Sequence, residues 1–371
     1  MSWAEGAGDT VPVLIVGFLV AALIALAITP AVRDFVRRRG IVDRPDERRV
    51  HPRPLPRGGG VAVVVAFTLV GGAVALLGNA VPGVAATGKP IPPLELVGLF
   101  AGGLVAAAIG SLDDLLDLRA RWQLLGQVVV AAIAIAFGIV VQKIDNPFAA
   151  GPLLFPTALS IGFTLLWIVG MINSINFIDG LDGLSSGIAM IAAITLGILS
   201  LTDAVGQPIV AILCFVLAGA LLGFLRWNFH PAVVFQGTSG VMFLGFTLAV
   251  LSILGTAKVV VALLVLGVPI IDSFWVIVRR ISRGRSPFSP DRGHIHHRLL
   301  DLGLSQRATV LLIYAICATL GIVSLVVSAA AGLYTFLGAA VAFGLVAFAA
   351  ARQPRDALEP TSYENGAGGD R

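Results

Sequence analysis

Long apolar stretches alternate with short polar segments along the whole chain. A helix needs about 20 apolar residues to cross the hydrocarbon core of a bilayer, and eleven stretches approach or reach that length. They cover residues 11–32, 60–78, 93–110, 124–141, 153–172, 185–201, 207–225, 238–255, 257–278, 308–328 and 332–350. The short stretch at 185–201 would be tilted or partly re-entrant. The pattern predicts an all-α polytopic membrane protein with about eleven transmembrane helices.

Composition supports the membrane class. Of the 371 residues, 57% are hydrophobic and 12% are charged, and the mean hydropathy is +0.95. Soluble domains carry about 25% charged residues, so a soluble globular protein is excluded. We expect one integral membrane domain over residues 1–352 and a disordered cytoplasmic tail over 353–371, which is polar and rich in glycine. Glu5 and Asp9 precede the first stretch, so it does not resemble a cleaved signal peptide.

Basic residues predict the orientation. Every arginine falls on one side of the predicted helices, whereas Lys89, Lys143 and Lys258, the only lysines, fall on the other. The arginine side holds the loops at 33–59, 111–123, 173–184, 226–237 and 279–307 and the tail from Arg352. Cytoplasmic loops of plasma-membrane proteins carry the excess of basic residues. We therefore expect an outside N-terminus and a cytoplasmic C-terminus. The net charge of +4 reflects this bias and indicates no nucleic-acid partner.

Carboxylates crowd the cytoplasmic end of the third stretch. The sequence "GSLDDLLDL" (110–118) carries Asp113, Asp114 and Asp117. If the helix continues, Asp113 and Asp117 share one face. Three carboxylates within five residues repel one another unless a divalent or other cation lies among them. The alternative is simple pairing with Arg119 and Arg121.

Amides and carboxylates also follow the fifth stretch, in "NSINFIDGLDGLSSG" (173–187). The polar members are Asn173, Asn176, Asp179 and Asp182. Oxygen ligands of this kind suit Mg²⁺ or Mn²⁺, and Asn176, Asp179 and Asp182 are the predicted metal ligands. The alternative is helix capping, since Asn and Asp satisfy free N–H groups at helix ends.

Three further cytoplasmic segments suit phosphate groups. Gly58, Gly59 and Gly60 open a helix and leave bare N–H groups there, while "GTSG" (237–240) can present N–H groups and hydroxyls. Phe235 could stack on a flat base. The alternative for this loop, residues 226–245, is a plain interhelical turn. The fifth loop contains Arg279 and Arg280, and arginine binds phosphate oxygens bidentately.

The same loop ends in "DRGHIHH" (291–297), which holds Arg292, His294, His296 and His297. On a helix, His294 and His297 would share a face and His296 would not. We interpret the histidines as donors to phosphate or as proton carriers.

Together these motifs resemble the polyprenyl-phosphate N-acetylhexosamine-1-phosphate transferases, and "HIHHRLL" resembles their GlcNAc-1-phosphate branch. The matching pieces span residues 43–303 and read "DRPDERRVHPRPLPRGGG", "GSLDDLLDL", "NSINFIDGLDGLSSG", "NFHPAVVFQG", "PIIDSFW" and "SPDRGHIHHRLLDLG". The resemblance implies ten or eleven helices, a cytoplasmic active site and Mg²⁺. It also implies the substrates UDP-GlcNAc and polyprenyl phosphate, and the products polyprenyl-diphospho-GlcNAc and UMP. This would be the first membrane step of a cell-envelope glycan. A homodimer is one candidate assembly.

The resemblance also implies roles for individual residues. Predicted catalytic residues are Asp113, Asp114, Asp179, Asp182, His294, His296 and His297. Predicted substrate-binding residues are Asn173, Phe235, Gly237, Thr238, Arg279, Arg280 and Arg292. One departure stands out: Thr238 and Val241 occupy positions where the family carries a metal-binding Asp and a Ser. Threonine is a poorer Mg²⁺ ligand than a carboxylate. Either the metal is held by other acids, or the protein is an impaired enzyme or a non-catalytic lipid-phosphate binder or transporter.

Overall fold

The computed structural model describes residues 3–43, 54–77, 91–146, 151–202, 205–255, 259–284, 286, 293–327, 331–338 and 341. The chain is mostly helical. Arg292 and the predicted tail 353–371 lie outside the described residues, and so does most of the last apolar stretch.

Twelve helices and two short strand pairs have defined bounds within these ranges, and residues 331–338 are helical as well. The helices are α1 (Trp3–Arg38), α2 (Val61–Leu77), α3 (Pro93–Leu116), α4 (Ala120–Ala136), α5 (Thr157–Ile178), α6 (Leu184–Ser200), α7 (Pro208–Asn228), α8 (Gly237–Leu254), α9 (Val259–Val265), α10 (Gly267–Ser282), α11 (Ile295–Asp301) and α12 (Gln306–Val326). Strand β1 (Val42–Asp43) pairs antiparallel with β2 (Leu55–Pro56), and β3 (Lys143–Asp145) pairs antiparallel with β4 (Pro152–Leu154).

Six of the helices are long and apolar enough to cross a membrane: Thr10–Arg38 within α1, and α3, α5, α7, α8 and α12. The helices α2, α4 and α6 are apolar but shorter. These observations confirm a polytopic membrane protein, while the count of eleven spans and the orientation stay predictions.

Two helix boundaries differ from the sequence-based expectation. The stretch at 257–278 is divided at Leu266 into α9 and α10, and Pro269 lacks the N–H that would continue the hydrogen-bond ladder at this point. Helix α3 runs beyond the apolar residues to Leu116 and ends at Asp117, which adopts a left-handed conformation with φ 49°. The helix does not continue through Asp117, so the condition for a face shared with Asp113 is not met.

Helix α8 forms the centre of the molecule. All of its residues are buried, and it packs against α3 and α5 most extensively. Helix α1 packs along α7, and α7 packs along α6. A helix that is apolar and enclosed on every side is typical of the core of a bundle. The first turn of α8 carries the "GTSG" segment, so the core of the bundle leads directly to the predicted site.

Candidate active site

Glycines bring the start of α8 against two neighbouring segments. A Cβ atom added to Gly110 of α3 would lie 2.5 Å from both Ser239 Cα and Thr238 O. Gly237 has φ +74°, and a Cβ there would lie 2.5 Å from the backbone nitrogen of Gly58. Only glycine combines this backbone conformation with such close contact. The two glycines therefore position the carboxylates of α3 beside the first turn of α8.

Asp114 binds the N-terminus of α8. Its Oδ1 accepts a hydrogen bond from Thr238 N at 2.8 Å, and its Oδ2 accepts one from Ser239 N at 3.0 Å. A carboxylate at this place satisfies N–H groups that have no partner within the helix and interacts favourably with the helix dipole. The prediction that the "GTSG" N–H groups are presented to a phosphate is therefore wrong for Thr238 and Ser239.

The glycine-rich segment before α2 is also hydrogen-bonded within the protein. Gly59 N donates to Phe235 O at 2.8 Å, and Gly60 N donates to Gln236 O at 2.9 Å. The sequence had suggested that these N–H groups are bare, and this prediction is wrong for Gly59 and Gly60. These hydrogen bonds fasten the segment before α2 to the residues just before α8.

Arg57 is the cation beside the α3 carboxylates. Its Nε lies 2.8 Å from Asp114 Oδ1, and its Nη2 lies 3.4 Å from Asp113 Oδ2 and donates to Thr238 Oγ1 at 2.7 Å. The alternative of pairing with Arg119 or Arg121 thus named the wrong arginines. Removing one partner of a buried ion pair costs about 3–5 kcal/mol, so loss of Arg57 would leave both buried carboxylates without their cation.

Asp113 is held on its other side by the turn after α3. Its side chain is 1% exposed, and Oδ1 accepts hydrogen bonds from Leu118 N at 3.0 Å and from Gln123 Nε2 at 2.8 Å. The carboxylate is therefore fixed in orientation by two neutral donors and one guanidinium.

Asp179 and Asp182 lie at the junction between α5 and α6. Asp179 caps the C-terminus of α5, and the Ser185 hydroxyl is within hydrogen-bond reach of both Asp179 and Gln236 Oε1. Asp182 Oδ2 lies 2.8 Å from His230 Nδ1 and accepts a hydrogen bond from Ala232 N at 3.0 Å. Asn176 is half-buried in the last turn of α5, and its carbonyl accepts the N–H of Asp179.

The short connection between α7 and α8, residues 229–236, joins these groups. His230 and Ala232 contact Asp182, and Gln236 contacts the serine beside Asp179. The next residues, Thr238 and Ser239, bind Asp114. The acids predicted from two distant sequence motifs are thus linked through one continuous segment.

The three histidines form a row of rings. His294 caps the N-terminus of α11, and its Nδ1 lies 2.7 Å from Asp272 Oδ2. The ring centroids of His294 and His296 are 5.5 Å apart, and those of His296 and His297 are 4.4 Å apart. The prediction that His296 points away from the other two is wrong, because His294 lies before the helix and has an extended backbone.

His296 is 1% exposed, and its neighbours lower its affinity for protons. Burial lowers its pKa well below the ordinary value, and the charges of His297 and His294 lower the pKa further. The ring lies against the α5–α6 junction, since a Cβ atom on Gly180 would be 2.3 Å from His296 Nε2. The histidine row is thereby placed next to Asp179.

Two of the predicted arginines lie near this row. The guanidinium of Arg280 lies 5.7 Å from the ring centroid of Phe177, which is itself 5.7 Å from the ring of His294. Arg279 Nη1 donates to Gly293 O at 3.5 Å. Arg292 lies outside the described residues.

Asn173 and Phe235 have structural partners. Asn173 Nδ2 donates to Gln127 Oε1 at 2.6 Å and to Val169 O at 2.8 Å, which joins α4 to α5. Phe235 is half-buried, and its backbone N–H donates to Pro56 O at 2.8 Å. Their predicted roles in substrate binding stay predictions.

A cavity of about 320 Å³ adjoins the carboxylates. Apolar residues of α1 and α3, including Phe35, Val36 and Leu115, form part of its wall, and Arg57, Asp114 and Ser239 also line it. The cavity therefore combines an apolar wall with charged and hydroxyl groups.

The residues around Thr238 do not fit a divalent ion as they are arranged. Both oxygens of Asp113 and both oxygens of Asp114 already receive N–H or guanidinium donors. Within the described ranges, no group of three or more His, Cys, Asp or Glu side chains is arranged to hold a metal. Magnesium at Asn176, Asp179 and Asp182 stays a prediction.

Sequence reasoning missed four polar partners of the acids. Arg57, Gln123, Gln236 and His230 contact the acids or their serine neighbour, yet none was assigned a role. Arg57 could have been found from the sequence, since it lies directly before the glycines at 58–60 that were themselves predicted to lie at the site. The others are single polar residues whose partners depend on the tertiary packing.

Comparison with known proteins agrees with the motifs. Residues 96–256 match the family described as glycosyl transferase family 4. A probable undecaprenyl-phosphate N-acetylglucosaminyl 1-phosphate transferase of Bacillus subtilis (strain 168) is 35% identical over 85% of this chain and 86% of its own. A decaprenyl-phosphate N-acetylglucosaminephosphotransferase of Mycolicibacterium smegmatis is 36% identical over 83% of this chain and 80% of its own. An undecaprenyl-phosphate alpha-N-acetylglucosaminyl 1-phosphate transferase of Haemophilus influenzae is 33% identical over 76% of this chain and 79% of its own. The chain therefore belongs to glycosyl transferase family 4, together with these polyprenyl-phosphate transferases.

Proposed function

We propose that this protein transfers GlcNAc-1-phosphate from UDP-GlcNAc to a polyprenyl phosphate. The products are polyprenyl-diphospho-GlcNAc and UMP. Family membership supports the reaction. The observation that carries the assignment to this site is the linkage of Asp114, Asp179 and Asp182 through residues 229–239, because it gathers the polar groups of separate helices at one end of the bundle.

In the proposed reaction, an oxygen of the lipid phosphate attacks the phosphorus on the sugar side of the diphosphate. A new P–O bond forms there, and the bond between that phosphorus and the UMP oxygen breaks. Catalysis of phosphoryl transfer consists mainly of positioning and charge stabilisation. Asp113 and Asp114, held rigidly by their donors, orient the attacking group through Arg57, whose guanidinium they bind. The histidine row with Arg279, Arg280 and Arg292 stabilises the negative charge on the diphosphate and on departing UMP.

The cavity beside α1 and α3 suits the lipid substrate. A polyprenyl phosphate has an apolar tail and an anionic head, and the cavity has an apolar wall together with the guanidinium of Arg57. We place the first isoprene units against Phe35, Val36 and Leu115, which lets the lipid arrive sideways from the bilayer.

Several finer features belong to the same proposal. The site faces the cytoplasm at the plasma membrane, with about eleven spans, because UDP-sugars are cytoplasmic and the arginine side carries the site. Mg²⁺ or Mn²⁺ accompanies the nucleotide diphosphate, since hard cations bind phosphate oxygens together with carboxylates. A homodimer is a further proposal, which the mass of the purified protein–detergent complex tests.

The first prediction concerns turnover. Purified full-length protein supplied with UDP-GlcNAc, decaprenyl phosphate and Mg²⁺ should release UMP and form a labelled lipid, and omission of the lipid should abolish both. The Asp179→Asn variant should lose about 10²–10⁴-fold in kcat because it removes a charge from the reaction centre. The matched control is Asp34→Asn, since Asp34 is half exposed on α1 and pairs with Arg33.

The alternative is a non-catalytic lipid-phosphate binder, which the Arg57–Thr238 contact favours because it closes the carboxylate pocket. Such a protein would bind decaprenyl phosphate without releasing UMP from any UDP-sugar. If a preparation that still binds the lipid releases no UMP from any of a panel of UDP-sugars, the proposed transferase is rejected.

A further inference from the structure

A guanidinium lies where two buried carboxylates and a hydroxyl meet. Arg57 reaches Asp113, Asp114 and Thr238 with the same planar group. We infer that Arg57 is the permanent cation of this pocket, and that it occupies the place between the α3 carboxylates and residue 238 that a divalent ion would otherwise take. The inference deepens the proposed function, on which its role in the reaction rests.

The donor geometry favours the guanidinium over a metal. Thr238 Oγ1 accepts the Nη2 hydrogen at 2.7 Å, and a neutral hydroxyl leaves the pocket with two negative charges and one positive charge. A second cation among the same oxygens would be repelled by the guanidinium a few ångströms away. It would also have to displace the N–H donors of Leu118, Thr238 and Ser239.

The backbone of Arg57 is anchored so that the side chain cannot withdraw easily. Arg57 N donates to Ile41 O at 3.1 Å, and strand β2 immediately before it pairs with β1. On either side, Pro56 O accepts the N–H of Phe235 and Gly59 N donates to Phe235 O. The side chain is 24% exposed, and it lines the cavity beside α1 and α3.

Arg57 is therefore a positioning residue. It holds the two carboxylates in one orientation without a metal and presents positive charge to an anion that enters the cavity. Thr238 has a specific part in this arrangement, since its hydroxyl orients the guanidinium and its side chain adds no third negative charge.

The test measures binding of Mn²⁺ alone to the full-length protein in nanodiscs, without nucleotide or lipid. We expect the wild-type protein to show no saturable Mn²⁺ binding that depends on Asp113, and no change of Tm with Mn²⁺ that Asp113→Asn removes. Arg57→Gln should lower the Tm in EDTA, and Mn²⁺ should restore it. The double variant R57Q/T238D, with three carboxylates and no guanidinium, should bind Mn²⁺ at least about tenfold more tightly than the wild type. Arg119→Gln, which removes an exposed arginine next to the same acids in sequence, is the matched control.

Two outcomes would overturn the inference. One is saturable Mn²⁺ binding by the wild type that Asp113→Asn abolishes and Arg57→Gln leaves unchanged. The other is a double variant that folds and gains no affinity. If Arg57→Gln does not fold, the wild-type titration against Asp113→Asn still decides. Because no turnover is measured, failure here is distinct from the absence of UMP release, which would reject the transferase itself.

Discussion

His296 has no hydrogen-bond partner for either ring nitrogen among the described residues, although it is buried between His294 and His297. Burial and its two neighbours lower its pKa, so the ring is neutral at pH 7 in the folded protein. The unfolded chain takes up a proton near the ordinary pKa of about 6.5. Between the two pKa values the unfolded state binds more protons, so the free energy of unfolding falls as the pH falls below about 6.5.

The corresponding prediction is a loss of thermal stability in acid. The Tm of the wild type should fall between pH 7.5 and pH 5.5, and the decrease should be smaller by roughly 2–4 °C in His296→Gln, which has no titrating ring. Groups close enough to contribute are His294, His297 and, through His294, Asp272. An equal decrease in wild type and variant would assign the pH dependence to those groups instead.

At the residue scale the sequence identified most of the acids and histidines but not their partners. Asp113 and Asp114 were recognisable because carboxylates are rare at the end of an apolar helix. The identity of their cation depended on a contact between residues 57 and 113, which are far apart in the chain. Motif spacing carries no information about such a contact, and therefore the nearby Arg119 and Arg121 were the obvious but wrong candidates.

At the scale of elements, the contact between α3 and α8 determines where the carboxylates lie. Gly110→Ala should lower the Tm and reduce turnover, because the new methyl group would lie 2.5 Å from Thr238 O and Ser239 Cα. Gly162→Ala on α5 is the control, since a Cβ there has no neighbour within 4 Å. Alanine also has the higher helix propensity, so this control should be neutral or slightly stabilising. Equal Tm values for the two variants would contradict the close packing.

Helix positions were largely predictable from the apolar stretches, since α2, α6, α7 and α8 begin or end within a few residues of them. The ends of the helices were less predictable from the apolar stretches. Residues 111–116, three of which are polar, continue α3 because Asp113 and Asp114 find donors in tertiary contacts. The division at Leu266 could not be read from hydrophobicity, which is uniform across the break.

For the whole molecule, the testable claim is the orientation. Fusion of a periplasmic reporter, alkaline phosphatase, and a cytoplasmic reporter, green fluorescent protein, after residue 352 should give only cytoplasmic fluorescence. The same reporters placed within the segment 141–156 should give only phosphatase activity. The asymmetry of arginine over the predicted loops is the physical reason. Fluorescence from the 141–156 fusion would reverse the topology and move the site away from cytoplasmic UDP-sugars.

The complete enclosure of α8 has a consequence for how the protein tolerates different membranes. Thickening or thinning of a bilayer acts on helices that touch lipid tails, which tilt or shift in response. Helix α8 is shielded from those tails by its neighbours. The first turn of α8 and the carboxylates bound to it should therefore keep their depth relative to the helices packed around α8. The lipid-facing helices tilt or shift instead when the bilayer thickness changes. Lipid composition should thus affect substrate entry more than the arrangement of the reacting groups.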